Sequence, residues 1–474
     1  MPTNSRRHVT TTAATAEMTA TSVKVVAGHL EREGFAEPWA FDSCAEFARS
    51  ADVARRARLA IVTTIRSPEG PAPAHEKPAA QGLTVRIVPS GVPGHSPADS
   101  RGRAAWRHRW YAVKVALASH SCTTSEWPLP RADLDHVLAV APLQWQEFRG
   151  RRVLLTGGTG FVGTWLLASF LWADHEFDLD GHITVLSRAP EAFARRLPVL
   201  ASDPAVTLVK GDMRSFDLPA PFDLVVHAAS QKPLDRSPAA QFARFEADVA
   251  GTRRVLDVAR RSGASRILFT SSGAVYGPQP AYLAHVGEDY TSGRDLADSL
   301  TAYGQAKHVS ESLCMSLAAK TDVCCCIARC FAFVGPFLPL DGGYAAGDFL
   351  ADALRGGPID VKGDGTPYRS YLHAADLAAW LWTILLRGRS CRPYNVGSDR
   401  ELTVGQLARR LAHLAGPDAE VRVRKPLPNH PVEPERYVPS IDRARSELGL
   451  GVFIDLDDAL DRTWSWLRDE KEQQ

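Results

Sequence analysis

The sequence lacks a long apolar run. No stretch reaches the roughly 18 uncharged apolar residues that a membrane-crossing helix needs. It also lacks net charge: 55 Lys plus Arg stand against 54 Asp plus Glu, leaving +1. Nothing in that balance calls for a nucleic-acid or membrane partner. The opening MPTNSRRHVTTTAATAEMTATSV has no apolar core of a secretory signal. Its threonines, alanines and two arginines fit an organelle transit peptide less well than a plain cytoplasmic protein, which is the expectation. Metal-site spacing is missing too. Four of the eight cysteines fall in DVCCCIARCF, with neither a CxxC pair nor a His at ligand distance in sequence. Three consecutive residues on a strand alternate faces, so these cysteines read as small hydrophobes on a buried strand. No metal is expected, and reduced thiols fit the cytoplasm.

What is present divides unevenly. Residues 1–132 carry 17 Lys plus Arg against 11 Asp plus Glu, with the Pro/Gly/Ser-rich pieces SPEGPAPAHEKPAAQG and PSGVPGHSPADSRGR. RLAIVTTI and LTVRIV are strand-like, but no sustained period emerges and poor order is expected. A small ancillary domain and an over-extended translation start both remain open for this extension. From Asp133 the texture changes. RRVLLTGG, HITVLSR, VTLVKGD, FDLVVHAAS, RILFTSS and VCCCIARCF alternate with helical patterns. Strand–helix alternation with short connections predicts an α/β fold whose parallel sheet is wound on both faces.

The first of these units, VLLTGGTGFVGTWLL, joins a buried strand to a helix through glycines. Gly158, Gly160 and Gly163 satisfy G-x-G-x-x-G, with Gly157 ahead of them. Glycines here allow a tight turn, close backbone approach to a pyrophosphate and close helix–sheet packing. The helix N-terminus then presents free N–H groups to phosphate. A dinucleotide is therefore the expected cofactor. The next strand ends in Ser187 and Arg188, not in the acid that would bond a ribose 2′-hydroxyl. Arg188 suits a 2′-phosphate, which keeps NADP beside NAD.

Tyr303 and Lys307 in AYGQAK stand four apart, on one face of a helix. A phenol titrates near 10, and lowering it by roughly three units takes about 4 kcal/mol of preferential phenolate stabilisation. A neighbouring ammonium and a positive nicotinamide ring supply charges of the right sign. Ser272, ending the RILFTSS strand, is placed to share the substrate proton.

These motifs together resemble an extended short-chain dehydrogenase/reductase of the NAD-dependent epimerase/dehydratase family, over residues 150–470. The resemblance implies a Rossmann-type doubly wound sheet in 133–335 and a smaller substrate-binding α/β region in 336–474, with a possible return of the chain to the first sheet. It makes TGGTGFVG the dinucleotide loop, including Phe161 and Val162, and GDM the adenine contact, through Asp212 and Met213. It places Ala228 and Ala229 of HAAS, and Phe331, along the cofactor. Ser272, Tyr303 and Lys307 become the catalytic set. IARCFAFVGP resembles the family's R-x-F-N-x-x-G-P, with Ala332 where the family has Asn. Arg369 in GDGTPYRSYLHAADLA and Arg436 in PERYVPSIDRARSELGL become ligands of a sugar-nucleotide diphosphate, and His430 lies where some members use Arg. A homodimer is implied in the same way.

One absence is the most informative. The family's 4,6-dehydratases follow the Ser/Thr with Asp-Glu, and its UDP-glucuronate decarboxylases place a Glu there. This chain has Gly273 and Ala274. Neither can transfer a proton, so elimination is disfavoured unless Glu288 or Asp289 reaches the site. Oxidation and re-reduction at one carbinol remains. The expected activity is a nucleotide-sugar epimerase acting at C4, with a 4-ketoreductase or a 4,6-dehydratase as alternatives. A non-enzymatic regulator would not keep all three catalytic residues.

Overall fold

The computed structural model describes residues 127–140, 145–218, 221–231, 237–291, 302–340, 342–427 and 433–473, with three strands before them. His430 lies outside the described residues. The chain forms two compact units, 1–122 and 123–474. In the first, Leu59–Thr64 pairs antiparallel with Leu83–Pro89, which pairs antiparallel with Val113–Val115.

The second unit is built on a seven-stranded sheet. Across it the order is 393–396, 324–330, 266–272, 224–227, 152–156, 182–187 and 206–210. Every neighbouring pair is parallel. This is the doubly wound α/β sheet that the alternation predicts. Strand 224–227 is buried throughout and 266–272 nearly so, which is why LVVH and RILFTSS read as continuous apolar runs. Cys325 and Cys326 are fully buried within strand 324–330. The outer strand 393–396 comes from beyond residue 336, so the C-terminal part of the chain completes the first sheet.

Helices cover both faces. Phe161–Phe177 starts at Gly160, directly on the glycine turn. Pro238–Ser262 has Ser237 as its cap, proline in its first turn, and Gly263 in the left-handed region at its end. It lies beside Ala302–Ala318. On the other face the helix Ala374–Arg387 is apolar nearly all round and buried along 13 residues, from Ala374 to Leu386. Its Trp382 donates to Ser169 Oγ at 3.0 Å.

Two helices at the ends of this unit lock onto the same core. Arg131–Ala139 is tied by Asp133 to Arg462 at 2.6 Å and by His136 to Asp376 at 2.7 Å. A smaller sheet pairs 368–370 with 401–403 antiparallel and with 436–437 in parallel. Among the described residues no helix is long and apolar enough to cross a membrane.

Candidate active site

The glycine turn is shaped by contacts that exclude side chains. A Cβ on Gly163 would stand 2.1 Å from Gly157 O. On Gly157, whose φ is +76°, it would stand 2.6 Å from Ala229 N. The turn is therefore pressed onto the end of strand 224–227, and a cleft opens beside it. Its lining includes Gly157, Gly160, Arg188, Asp212, Met213, Ala228 and Ala229. Gly158 packs beneath, towards Val185, and Phe161 and Val162 open the helix. Bare backbone, a helix N-terminus and a groove along strand ends are what a dinucleotide requires, so the residues present fit the cofactor.

Polar side chains at the groove are already engaged. Arg188 donates to Gln231 Oε1 at 3.0 Å. Asp212 accepts from the backbone N of Arg214 at 2.9 Å and from its guanidinium at 2.8 and 2.9 Å. The Arg214 guanidinium holds the Asp212 carboxyl below its ordinary range.

The expected set of Ser272, Tyr303 and Lys307 converges because a second glycine permits it. Gly304 sits so close to the turn after Ser272 that a Cβ there would lie 2.3 Å from Ala274 O. This docks the 302–318 helix on the end of strand 266–272 and sets Tyr303 beside Ser272. The Ser272 hydroxyl accepts from Ala274 N at 3.2 Å and lies beside the Tyr303 phenol. Lys307 is buried and donates to Thr270 O at 2.9 Å. Its Nζ is 5.8 Å from the Tyr303 ring centre. Burial raises the Tyr303 phenol above its ordinary value, opposed first by the charge of Arg244 and then by the nearby Ser272 hydroxyl. Burial also lowers the Lys307 ammonium.

Two residues at this site escape sequence reasoning. Arg244 lies with its guanidinium carbon 3.7 Å above the Tyr303 ring centre, closer than Lys307. Tyr437 brings a second phenol beside Ser272, from much further along the chain. A Cβ on Gly273 would stand 2.8 Å from its hydroxyl and 2.7 Å from the Phe331 ring. Phe331 in turn lies tilted against Tyr437, with ring centres 4.7 Å apart. No spacing rule marks Arg244 on its helix. For Tyr437 the only signal is its place in the RYVPS segment, beside Arg436.

The remaining predicted residues fall into two groups. Arg369 pairs in register with Tyr437, so the two share a face of the small sheet, and it donates to Glu435 at 2.7 Å. Arg436 pairs with Tyr368 on the opposite face, covers that ring at 4.3 Å and donates to Glu401 at 2.5 Å. The structure thus does not gather both arginines on one face. Ala332 is partly buried, and its carbonyl accepts from Leu372 N at 3.1 Å.

The two reserve acids are committed elsewhere. Glu288 accepts from Asn395 N at 2.9 Å and lies 3.8 Å from Arg443. Asp289 pairs with Arg443 at 2.6 Å. Glu311, on the same helix as Tyr303, is held by Ser271 at 2.5 Å and by Arg329 at 2.8 Å.

A glycine cradle on a parallel sheet, with Ser, Tyr and Lys at its edge, defines a dinucleotide-dependent oxidoreductive site. Residues 153–397 match the NAD dependent epimerase/dehydratase family, and the chain belongs to it. It is accordingly an NAD-dependent enzyme of that family. Among curated relatives it is 28% identical over 338 residues to UDP-glucuronic acid decarboxylase 6 of Arabidopsis thaliana, covering 71% of this chain and 92% of the relative. Among solved structures, the dTDP-glucose 4,6-dehydratase DesIV of Streptomyces venezuelae, with NAD and TYD bound, superposes with a TM-score of 0.58 at 25% identity. That match covers 68% of this chain and 98% of the other. The UDP-glucose 4-epimerase of Thermotoga maritima shares the fold, with a TM-score of 0.56 at 19% identity, over 68% of this chain and 99% of that one.

Proposed function

We propose that the protein is a nucleotide-sugar epimerase acting at C4. Ser272, Tyr303 and Lys307 are its catalytic residues, and the substrate is a nucleotide-diphosphate sugar. When bound, NAD supplies the hydride acceptor and donor. Tyr303, with Ser272 beside it, takes the proton of the sugar hydroxyl as the carbinol is oxidised and returns it on re-reduction. Lys307, fixed on Thr270 O, contributes positive charge beneath the phenolate. Arg369 lies on the face shared with Tyr437 and suits a phosphate oxygen through its fork of donors.

The observation that carries this reading is the occupant of the space around residues 273–274. Among the described residues no carboxylate stands there. The Tyr437 hydroxyl and the Phe331 ring do, and Glu288 and Asp289 are tied to Arg443. Without an acid or base at C5, a keto-sugar has no route to lose water, and turning over before re-reduction inverts C4.

A second reading is favoured by the relatives named as UDP-glucuronic acid decarboxylases. Oxidation at C4 of a sugar carrying a C6 carboxylate gives a β-keto acid. Such an acid loses carbon dioxide readily, and only the later protonation of C5 asks for a donor, for which the Tyr437 hydroxyl is a candidate. The test is a panel of UDP-, dTDP-, GDP- and CDP-sugars, uronates included, followed by NMR with absorbance at 340 nm. An equilibrating pair of epimers without net absorbance change supports the epimerase. Oxidation of added NADPH on a keto-sugar indicates a reductase, a pentose with released carbon dioxide a decarboxylase, and a 4-keto-6-deoxy sugar a dehydratase.

A further inference from the structure

Among the described residues, the groups facing Tyr303 come from four elements besides its own. The 238–262 helix brings Arg244 and Asp248, strand 266–272 brings Ser272, strand 324–330 brings Cys330, and strand 436–437 brings Tyr437. Lys307 follows on the same helix as Tyr303. Cys330 and Tyr437 are neutral across the working range, since burial pushes the Cys330 thiol up to about 12 and the Tyr437 phenol higher still. Among the described residues the charges beside the phenol are therefore Arg244, Asp248 and Lys307.

Their geometry is unequal. Lys307 is aimed at Thr270 O and stands 5.8 Å from the ring, whereas Arg244 lies on the ring face at 3.7 Å. The Arg244 side chain is 15% exposed and its partner Asp248 only 3%, so solvent screens both weakly. The pair is loose, at 3.8 Å, and the buried Arg244 Nε has no hydrogen-bond partner. Asp248 is instead held by Ser230 Oγ at 2.8 Å and Gln231 N at 2.7 Å. Its negative charge is shared out, and much of the guanidinium's charge is left to the ring. A cation on a phenol face binds more tightly once that ring becomes a phenolate, because the ring then carries charge as well as a quadrupole.

We propose that Arg244 is a positioning residue for Tyr303: its guanidinium fixes the ring from one face and adds a positive charge against which the phenolate forms, while Asp248 tempers that charge. This rests on Tyr303 being the site's proton-transferring group. The sign of each contribution follows from the geometry. Arg244 lowers the phenol's titration point and Asp248 raises it, in accord with the electrostatics at Tyr303.

The test is a titration of the Tyr303 ring itself, which needs no substrate. Protein carrying 13C at the tyrosine ring carbon bearing oxygen is loaded with NAD, and its NMR signals are followed from pH 6 to 11. Tyr303→Phe identifies the resonance. Arg244→Gln is expected to move the Tyr303 midpoint up by on the order of one pH unit. Asp248→Asn moves it down, and Arg244→Lys restores part of the loss because it keeps charge without the planar stack. Circular dichroism and NAD affinity show that each variant is folded.

Coincident titrations of wild type and Arg244→Gln, or an upward shift in Asp248→Asn, overturn the proposal. Should the epimerase reading fail while these midpoints move as stated, Arg244 keeps its role and only the reaction is reassigned.

Discussion

At the scale of single residues the site turns on Ser272, whose hydroxyl meets two phenols, Tyr303 and Tyr437. Tyr303→Phe and Ser272→Ala should each reduce kcat by roughly 10²- to 10⁴-fold, the usual worth of a positioned proton-transfer group, with NAD affinity little changed. Equal loss of NAD binding in both variants would mean that they had disturbed the fold and not the chemistry. Gly273 gives a sharper prediction. Gly273→Glu places a Cβ within 3 Å of the Tyr437 hydroxyl and the Phe331 ring. The acid alone should therefore destabilise the protein and yield no elimination product. Room for it appears only when Phe331 and Tyr437 are both cut back, so a 4-keto-6-deoxy product from the single variant would contradict this account of the site.

At the scale of elements, the glycine turn and the strand ends work as one piece. Gly163→Ala forces a methyl into Gly157 O, and backbone atoms have nowhere to go. The expected cost is on the order of 2 kcal/mol or more, with NAD affinity reduced at least tenfold by calorimetry. A polar rivet joins the same strands to the helices. His227 is buried between Thr156 at 2.8 Å and Thr252 at 3.2 Å. Burial, aided by Lys307, lowers it to about 3, so it stays neutral in the folded protein.

On unfolding it returns to about 6.5, and the unfolded chain binds the extra proton between those values. Stability from this group is therefore full above about pH 6.5 and is lost as pH falls towards 3. Urea melts should show the loss, and His227→Asn, though less stable at pH 7, should show a shallower decline from pH 6.5 to 4. Parallel declines would assign the pH dependence to other groups.

At the scale of the whole molecule, the sheet and its cradle were legible because their signals are local. Strand, glycine turn and helix follow one another within VLLTGGTGFVGTWLL, and apolar runs mark strands buried on both faces. The link between Tyr303, Lys307 and Ser272 was legible from spacing and from resemblance. Arg244 and Tyr437 were not, since each reaches the site through tertiary packing: one from a helix nearly 60 residues before Tyr303, the other from a two-residue strand far beyond it. The opposite facings of Arg369 and Arg436 likewise depend on register in a small sheet that no sequence period announces.

The central claim is that chemistry is confined to one carbinol, with no carbon acid formed at C5. Elimination across C5 and C6, and decarboxylation from C5, both pass through a C5 centre that must be reprotonated from a group exchanging with solvent. Epimerisation through a C4 ketone leaves the C5 hydrogen untouched. The decisive measurement is turnover in D2O of whichever nucleotide sugar the panel identifies, with the product's C5 position read by proton NMR. The account predicts a C4 epimer with hydrogen fully retained at C5. Deuterium at C5 would contradict it and would place an acid–base group where Gly273 and Ala274 provide none.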